Sequence, residues 1–305
     1  MGEVLVKAAA FVFIIFLGYA LKRIGFFTAT DYRLISKIVL NITLPAAVIT
    51  AFANFDMDAS LLILALLGLG CNLIMVGLGF LAGARSNGET KAFYMLNASG
   101  YNIGCFAMPF AQGFLGPFGV VATCMFDSGN SIMCTGGTYA AAAGVAGTGG
   151  KSQLTGLAKK LLSSVPFDIY MLMLLFSWVG FRFPAEVLNL CSVIAGANSF
   201  LAMLMIGMML ELELEARHVQ QLSLVLLLRY AVSALFAWLF YYYTSFSLEI
   251  RQVLVLLVFA PIPAIAPLFT EKCQGNGILA SLTNSVSIMI SIVIMTVLLV
   301  MMNLR

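Results

Sequence analysis

The stretch that decides the fold is FAPIPAIAP, residues 259–267, which places three prolines within seven residues of apolar sequence. A second stretch, NIGCFAMPF at residues 102–110, carries Pro109 in an equally apolar setting. Each proline removes a backbone donor and clashes with the preceding helical turn. In lipid, the carbonyls freed in this way need another partner or a water-filled cavity. The two stretches therefore predict two broken, crossing helices, marked by Pro109, Pro261 and Pro263, and a simple kink is the alternative at each.

The composition is typical of a polytopic membrane protein. Of 305 residues, 62% are hydrophobic and 10% are charged, with 16 basic and 13 acidic side chains. A soluble chain of this length would carry about 75 charges. These values exclude a soluble enzyme, a disordered chain and a nucleic-acid-binding protein, which needs a basic face. The six scattered cysteines and the single histidine, His218, give a metal centre almost no ligands, and we expect no cofactor.

Charges and Gly/Pro clusters divide the chain into ten apolar segments, each close to the ~20 residues that span a bilayer. They are Val4–Leu21, Leu34–Phe52, Ala59–Ala84, Ala92–Phe114, Val120–Val145, Val165–Phe181, Val187–Leu210, Leu222–Phe246, Val253–Thr270 and Gly277–Met302. The uncharged residues 92–126 are too many for one span, so the turn-rich stretch 113–119 must divide them. The sequence predicts an all-α integral membrane protein.

The distribution of Lys and Arg predicts how these segments are oriented. Loops after odd-numbered segments hold ten basic residues, and the opposite side holds three. The ten are Lys22, Arg23, Arg33, Arg85, Lys91, Lys151, Lys159, Lys160, Arg217 and Lys272, and the three are Arg182, Arg251 and Arg305. We therefore expect the odd loops in the cytoplasm and both termini outside, in a multi-pass protein of the inner cell membrane.

A polar stretch near the midpoint, residues 147–164, predicts a cytoplasmic linker between two halves, residues 1–146 and 165–305. With five segments in each half, the second half enters the membrane from the opposite side, which is an inverted repeat. Three pairs of residues recur at a nearly constant offset. They are Gly25 and Gly180, 155 apart, and Pro109 with Pro263 and Asn130 with Asn284, both 154 apart.

Polar side chains converge near the middle of the membrane. At 1.5 Å per residue, Asn41, Asn102 and Asn198 lie about 15–18 Å from the nearest charged segment end, which is the middle of a ~30 Å hydrocarbon core. Asp127 lies about 12 Å past the preceding turn, and it shares a helix face with Asn130 at i,i+3. Uncompensated polar groups are costly in lipid, so the convergence predicts a shared polar cavity.

Asp127 is the most unusual single residue, because an intramembrane carboxylate is a functional-site candidate. It can bind a cation, carry a proton or serve as a structural acid, and the sequence leaves these three roles open. Arg229 is also deep, about 10 Å past Leu222, and we expect it to extend to the cytoplasmic edge. For Asn72 we expect an interhelical hydrogen bond rather than a ligand.

A secondary transporter fits these features best. Two half-helix N-termini at the midplane direct their partial positive charge at one spot. An anion can therefore bind there even if the site has no basic side chain. An enzyme is not expected, because an intramembrane aspartyl protease needs two mid-depth acids, and no GxxxxGK[ST] loop is present for ATP. Two alternatives stay open: a cation/proton exchanger with Asp127 as its ion site, and a non-transporting sensor on a carrier scaffold.

Three motifs resemble those of a known family. GYALKRIGFFTATDYRLISKIVLNITLPA, residues 18–46, resembles the opening signature of the auxin efflux carrier family. NIGCFAMP at 102–109 resembles the Asn-x-Gly…Pro motif of the family's fourth helix, and FDSGN at 126–130 is similar to its fifth-helix Asp-x-Gly-Asn. The short central loop resembles that of bacterial members, which are described as malate or malonate permeases. Asn198-Ser-Phe stands where the family often has a proline-containing stretch.

The resemblance implies ten helices in two inverted five-helix repeats with crossing fourth and ninth helices, a fold similar to that of bile acid/sodium symporters. It implies a scaffold of helices 1, 2, 6 and 7, and a moving bundle of helices 3–5 and 8–10 that works by an elevator-type step. It also implies a homodimer in the lipid bilayer, with a small organic anion as substrate.

The resemblance further implies roles for matched residues. Asn102 would contact the substrate at the crossing, and Asn41, Thr43 and Pro45 would form the scaffold wall. Asp127 would line the cavity, where a proton or a sodium ion would couple to transport. The full set of candidate substrate-binding residues is Asn41, Thr43, Asn102, Asn130, Asn198 and Asn284.

Overall fold

The fold is all-helical over the residues that a computed structural model describes, which are 2–53, 55, 61–149, 152–211 and 219–302. An apolar chain folds this way because a helix satisfies every backbone polar group within its own segment. The helices are α1 (Gly2–Arg23), α2 (Tyr32–Phe52), α3 (Leu62–Ala82), α4 (Gly88–Ala98), α5 (103–115), α6 (Gly116–Ile132), α7 (Thr138–Ala146), α8 (Ser152–Leu161), α9 (Val165–Trp178), α10 (Ala185–Met209), α11 (Val219–Tyr243), α12 (Leu248–Leu257), α13 (Ala266–Lys272) and α14 (Gly277–Met301). Lys151, Arg217, His218 and Arg305, which enter the orientation and metal predictions, lie outside the described residues.

Seven helical stretches in the described part of the chain are long and apolar enough to cross a membrane. One of them, Gly88–Ala146, has 59 residues. At 1.5 Å per residue this is far longer than a ~30 Å hydrocarbon core, and the stretch turns at Gly116, where φ is +67°. It therefore holds both the fourth and the fifth predicted segments. The prediction of a multi-pass, all-helical membrane protein is confirmed.

Both predicted broken segments are interrupted, but only the second is interrupted at its prolines. Residues 258–265 leave the helix between α12 and α13, as the Pro261-Ile-Pro263 pattern predicts. In the first segment the unwound residues are 99–102, whereas Pro109 lies in helical backbone within α5. A π-helical turn, Ile103–Ala107, widens the helix directly before Pro109. Such a turn accommodates the proline ring and its missing N–H without breaking the helix.

The predicted linker, residues 147–164, contains a helix of its own. This helix, α8, carries Lys159 and Lys160 in its last turn. Basic side chains at that end interact favourably with the helix dipole. The division of the chain into residues 1–146 and 165–305 stays a prediction.

Hydrogen bonds between the loops at helix ends show which of these ends lie together. Lys22 at the end of α1 donates to Leu210 O at 2.6 Å and to Glu211 Oε1 at 3.2 Å, directly after α10. On the other side, Arg182 before α10 donates to Ala53 O after α2 at 3.2 Å. The turns after the first and seventh predicted segments thus share one end, and those after the second and sixth share the other. Which end faces the cytoplasm stays a prediction.

Two glycines bring α3 and α6 into backbone contact. A Cβ on Gly129 of α6 would collide with Ala65 O, and one on Gly68 of α3 would collide with Phe126 O. Small residues permit this close approach of two helices in a membrane protein. The contact fixes α6 against α3 at the level of Asp127, which follows Phe126 directly.

Candidate functional site

The two unwound stretches meet in the interior of the protein. The backbone N–H of Asn102 donates to Pro261 O at 2.9 Å, so the two segments cross there. Gly100 permits the approach, because its φ is +77° and a Cβ at this position would collide with the ring of Pro263. Of the two prolines, Pro261 supplies the crossing carbonyl and Pro263 packs against the opposite backbone.

Two side-chain amides replace the helical partners that the first unwound stretch lacks. Asn130 of α6 donates from Nδ2 to Tyr101 O at 2.9 Å, and its Oδ1 accepts from Tyr101 N–H at 3.1 Å. Asn72 of α3 accepts from Gly100 N–H at 2.8 Å and donates to Asn130 Oδ1 at 3.1 Å. The predicted interhelical hydrogen bond of Asn72 is confirmed. Buried backbone groups need such partners, since an unpaired one is costly.

Asn284 of α14 likewise binds the backbone of the second unwound stretch. Its Nδ2 donates to Ile262 O at 2.9 Å and to Pro263 O at 3.1 Å. The N–H of Ile262 in turn donates to Ser287 Oγ at 3.1 Å. Asn130 and Asn284, which are 154 residues apart, therefore each bond the unwound backbone of their own half of the chain.

Asp127 lies one helical turn before Asn130 and is 5% exposed. Its Oδ1 accepts from Asn130 Nδ2 at 2.8 Å, which confirms their predicted common face, and its Oδ2 accepts from Tyr170 Oη at 3.0 Å. Tyr170 belongs to α9, so the carboxylate joins two helices. In the described part of the chain, no group of three or more His, Cys, Asp or Glu is arranged to hold a metal ion.

Arg229 of α11 is a component of the site that the sequence analysis missed, since it is fully buried. Its Nη1 donates to Ala98 O at 2.8 Å, and its Nη2 donates to Gly100 O and to Ala260 O, both at 2.7 Å. The guanidinium carbon lies 5.1 Å from the ring centre of Tyr101. The prediction that Arg229 extends to the membrane edge is wrong, because the unwound backbone offers it carbonyl partners in the interior.

Three buried donor groups at the crossing have no hydrogen-bond partner. They are Asn102 Nδ2, Tyr101 Oη and Arg229 Nε. Asn102 is 7% exposed, and the other two side chains are more deeply buried. Buried polar atoms without a partner are rare in folded proteins. Donors of this kind suit the oxygen atoms of an anionic ligand.

A small pocket of about 10 Å³ lies beside the crossing, with room for about one water molecule. It is far smaller than the ~300–1,000 Å³ of most small-molecule sites, so a ligand larger than water requires the crossing to open. Its lining residues are Leu96, Ser99, Gly100, Met133, Cys134, Thr138, Pro263, Ile265, Ala266 and Phe269. The pocket therefore touches both crossing segments, through Gly100 and Pro263.

The remaining predicted residues lie on α2 and α10. Thr43 donates to Asn198 Oδ1 at 2.8 Å, and Asn198 donates to Gln112 Oε1 of α5 at 3.1 Å. This second polar cluster includes Gln112, which the sequence analysis did not single out. Asn41 is exposed, and its Nδ2 donates to Lys37 O of its own helix at 2.8 Å.

Comparison with known proteins supports the resemblance that the motifs indicate. A family model described as membrane transport protein matches residues 4–149, just under half of the chain. The matched region runs from α1 to the end of α7, and it contains Asn102, Asp127 and Asn130. No curated protein matches the chain. Residues 4–149 thus match the model of the membrane transport protein family, of the auxin efflux carrier type.

Proposed function

We propose that this chain is a secondary transporter that moves a small organic anion, a carboxylate, by elevator-type alternating access. The family model that matches residues 4–149 supports a membrane transporter, and the proposed nature of the substrate rests on the crossing. The observation that carries the proposal is the hydrogen bonding of Asn102. Its backbone N–H is bound to Pro261 O at 2.9 Å, whereas its buried side-chain Nδ2 has no partner.

The electrostatics of the crossing favour an anion. The carbonyl of Ala98 lies at the C-terminal end of α4, where the helix dipole is negative, and that of Ala260 lies three residues after the end of α12; Arg229 binds both. The following helix, α5, begins directly after Asn102, and its N-terminus carries partial positive charge. Asp127 has both carboxylate oxygens engaged. A ligand at the crossing would therefore meet donors rather than acceptors.

Two pairs of residues support ten helices in two inverted five-helix repeats. Asn130 and Asn284 each bond the unwound backbone of their own half. Gly25 and Gly180 follow the first helix of each half with φ values of +80° and +69°. In both turns the next residue donates its N–H to the carbonyl five positions back, at 3.0 and 2.8 Å. This is the hydrogen-bond pattern of a glycine-capped helix end.

The packing of the helices supports the elevator step. Helices α1, α2, α9 and α10 pack against one another, whereas α4 packs against α3, α7, α11 and α13. Helices α9 and α10 of the first group are joined to α5 and α6 by the hydrogen bonds from Tyr170 to Asp127 and from Asn198 to Gln112, at 3.0 and 3.1 Å, and Gln112 donates back to Ala195 O at 3.1 Å. Single hydrogen bonds contribute about 0.5–3 kcal/mol each, which a sliding motion can overcome. By the family resemblance we further propose a homodimer, and from the distribution of Lys and Arg we propose that it lies in the inner membrane with both termini outside.

The test is flux in proteoliposomes that contain the purified full chain. We expect uptake of labelled malate, malonate or a related carboxylate, with or without an imposed pH or sodium gradient. Asn102→Ala should abolish uptake, whereas the matched control Asn189→Ala, at an exposed position on α10, should retain it. If no carboxylate moves but sodium collapses a pH gradient, the proposal is wrong and the chain is a cation/proton exchanger. Carboxylate binding without flux would identify a sensor.

The coupling ion is tested with the same vesicles. Asp127→Asn removes the titratable carboxylate but keeps an oxygen that can accept from Tyr170. If Asp127 carries the coupling proton or sodium ion, this variant loses the pH or sodium dependence of uptake. Unchanged dependence would exclude Asp127 as the coupling residue.

A further inference from the structure

We propose that Arg229 is a positioning residue of the transport site, which holds the two unwound stretches together and so sets the place of Asn102. The effect on transport rests on the proposed function above. The effect on the geometry of the crossing does not depend on the proposed function, and it can be measured without a substrate.

The contacts of Arg229 span both crossing segments. Its Nη2 alone donates to Gly100 O in the first stretch and to Ala260 O in the second, both at 2.7 Å. Its Nη1 donates to Ala98 O at 2.8 Å. Ser233, one turn later on α11, donates to the second stretch at 2.6 Å. One face of α11 therefore binds the backbone of both segments where they cross.

The chemistry of this contact requires the guanidinium group. Arginine presents five N–H donors in a fixed planar fork, whereas lysine has three donors on one atom. A buried charge is costly unless it is compensated. Here the compensation comes from the carbonyls of Ala98, Gly100 and Ala260 and from the ring of Tyr101, 5.1 Å away. The ion pair between Lys22 and Glu211 lies at the end of α1 and does not involve Arg229.

The consequence for the site follows from chain connectivity. Gly100, whose carbonyl Arg229 binds, lies two residues before Asn102. Without Arg229, the carbonyls of both stretches would lack their donor, and the contact between Asn102 N–H and Pro261 O would lose its support. The unpartnered amide of Asn102 would then no longer be held in one position. Loss of Arg229 should therefore weaken the binding of the anion.

Cys134 provides a probe of the crossing. It is half-buried in the pocket beside the crossing, with its Sγ 3.9 Å from Tyr101 O. The other five cysteines, which serve as internal controls for unfolding, are all buried. They are Cys71, Cys105, Cys124, Cys191 and Cys273. Selective alkylation of Cys134 thus reports a local opening of the crossing.

The experiment is alkylation of the purified full chain in detergent micelles with N-ethylmaleimide, followed by mass spectrometry of each cysteine peptide. Arg229→Gln should raise the rate at Cys134 by about tenfold, since several charge-assisted hydrogen bonds are lost. Arg229→Lys should give an intermediate rate. The matched control is Arg251→Gln, because Arg251 is half-buried and donates to Tyr241 O, away from the crossing. It should leave the rate unchanged.

Two results would overturn the proposal. An unchanged Cys134 rate in Arg229→Gln would show that the crossing does not depend on this side chain. An equal rise at all six cysteines in both Arg229 variants would show that Arg229 supports the whole fold rather than the crossing.

The transport readout is separate from the labelling readout. In proteoliposomes, Arg229→Lys should raise the KM of anion uptake about tenfold while changing the maximal rate less. A parental KM in this variant would contradict the positioning role. If selective Cys134 labelling is observed but no anion moves, Arg229 holds the crossing and the proposed function fails.

Discussion

Replacement of Asn130 by alanine is expected to destabilise the protein by about 2–4 kcal/mol, because it removes several buried hydrogen bonds and leaves the N–H of Tyr101 unpaired. The side chain donates to Tyr101 O at 2.9 Å and to Asp127 Oδ1 at 2.8 Å. It accepts from Tyr101 N–H and from Asn72 Nδ2, both at 3.1 Å. Asn72 and Asp127 keep other partners, and Tyr101 O still accepts from Ile103 N–H at 2.9 Å, whereas Tyr101 N–H is left without a partner. Each unpaired buried group costs about 1–3 kcal/mol.

The assay is equilibrium unfolding of the purified protein in mixed micelles by titration with a denaturing detergent. Asn284→Ala removes one donor from the carbonyls of Ile262 and Pro263, and Pro263 O still accepts from Ala266 N–H at 3.0 Å, so we expect a smaller loss of about 1–3 kcal/mol. Asn189→Ala, at an exposed position on α10, should stay within about 0.5 kcal/mol of the parent chain. If Asn130→Ala unfolds with the same free energy as Asn189→Ala, the hydrogen-bond account of the crossing is wrong.

Two further substitutions test the geometry of the crossing and the movement. Gly100→Ala should abolish anion uptake, because its φ of +77° costs about 1–2 kcal/mol for alanine and its Cβ would collide with Pro263. The control Gly147→Ala has a similar φ of +73° in open space, so it should keep uptake, and equal behaviour of the two variants would contradict the crossing geometry. Tyr170→Phe removes the hydrogen bond to Asp127 between α9 and α6, and it should accelerate uptake by up to about tenfold if that bond breaks in each cycle. A slower or unchanged initial rate would argue against sliding at this contact.

Local patterns predicted the parts of the site that depend on a few neighbouring residues. The break at residues 258–265 follows from Pro261 and Pro263, since a missing N–H and a bulky ring act on the adjacent turn. The bond between Asn130 and Asp127 follows from their i,i+3 spacing. The ten-to-three bias of basic residues predicts an orientation, but the positions of the helices cannot test it.

The first break could not be placed from local sequence. Pro109 and Pro263 are 154 residues apart, yet Pro263 lies in unwound backbone and Pro109 lies in helical backbone within α5. The break at residues 99–102 depends on tertiary contacts, because Asn72 and Asn130 reach it from other helices. The Ser-Gly pair at its start was the available local signal, and a lone glycine in a membrane helix is too common to decide a break.

Arg229 was missed because a count of residues gives depth and not direction. Its depth was compatible with a side chain that extends to the membrane edge, and only the tertiary fold shows four backbone carbonyls around its guanidinium. One signal was present in the sequence. Two broken helices free several carbonyls in lipid, and these carbonyls require donors. A deep arginine in the apolar run LVLLLRYAV is a strong candidate donor.

The central claim is that a small carboxylate binds at the crossing, and the alkylation rate of Cys134 in the presence of a transported anion tests it most directly. Cys134 lines the same pocket as Gly100 and Pro263. An anion at the crossing should slow the reaction of Cys134 with N-ethylmaleimide, with half of the effect at the KM of uptake. Uptake that saturates while the rate at Cys134 stays constant would contradict the account, because the anion would then cross the protein elsewhere.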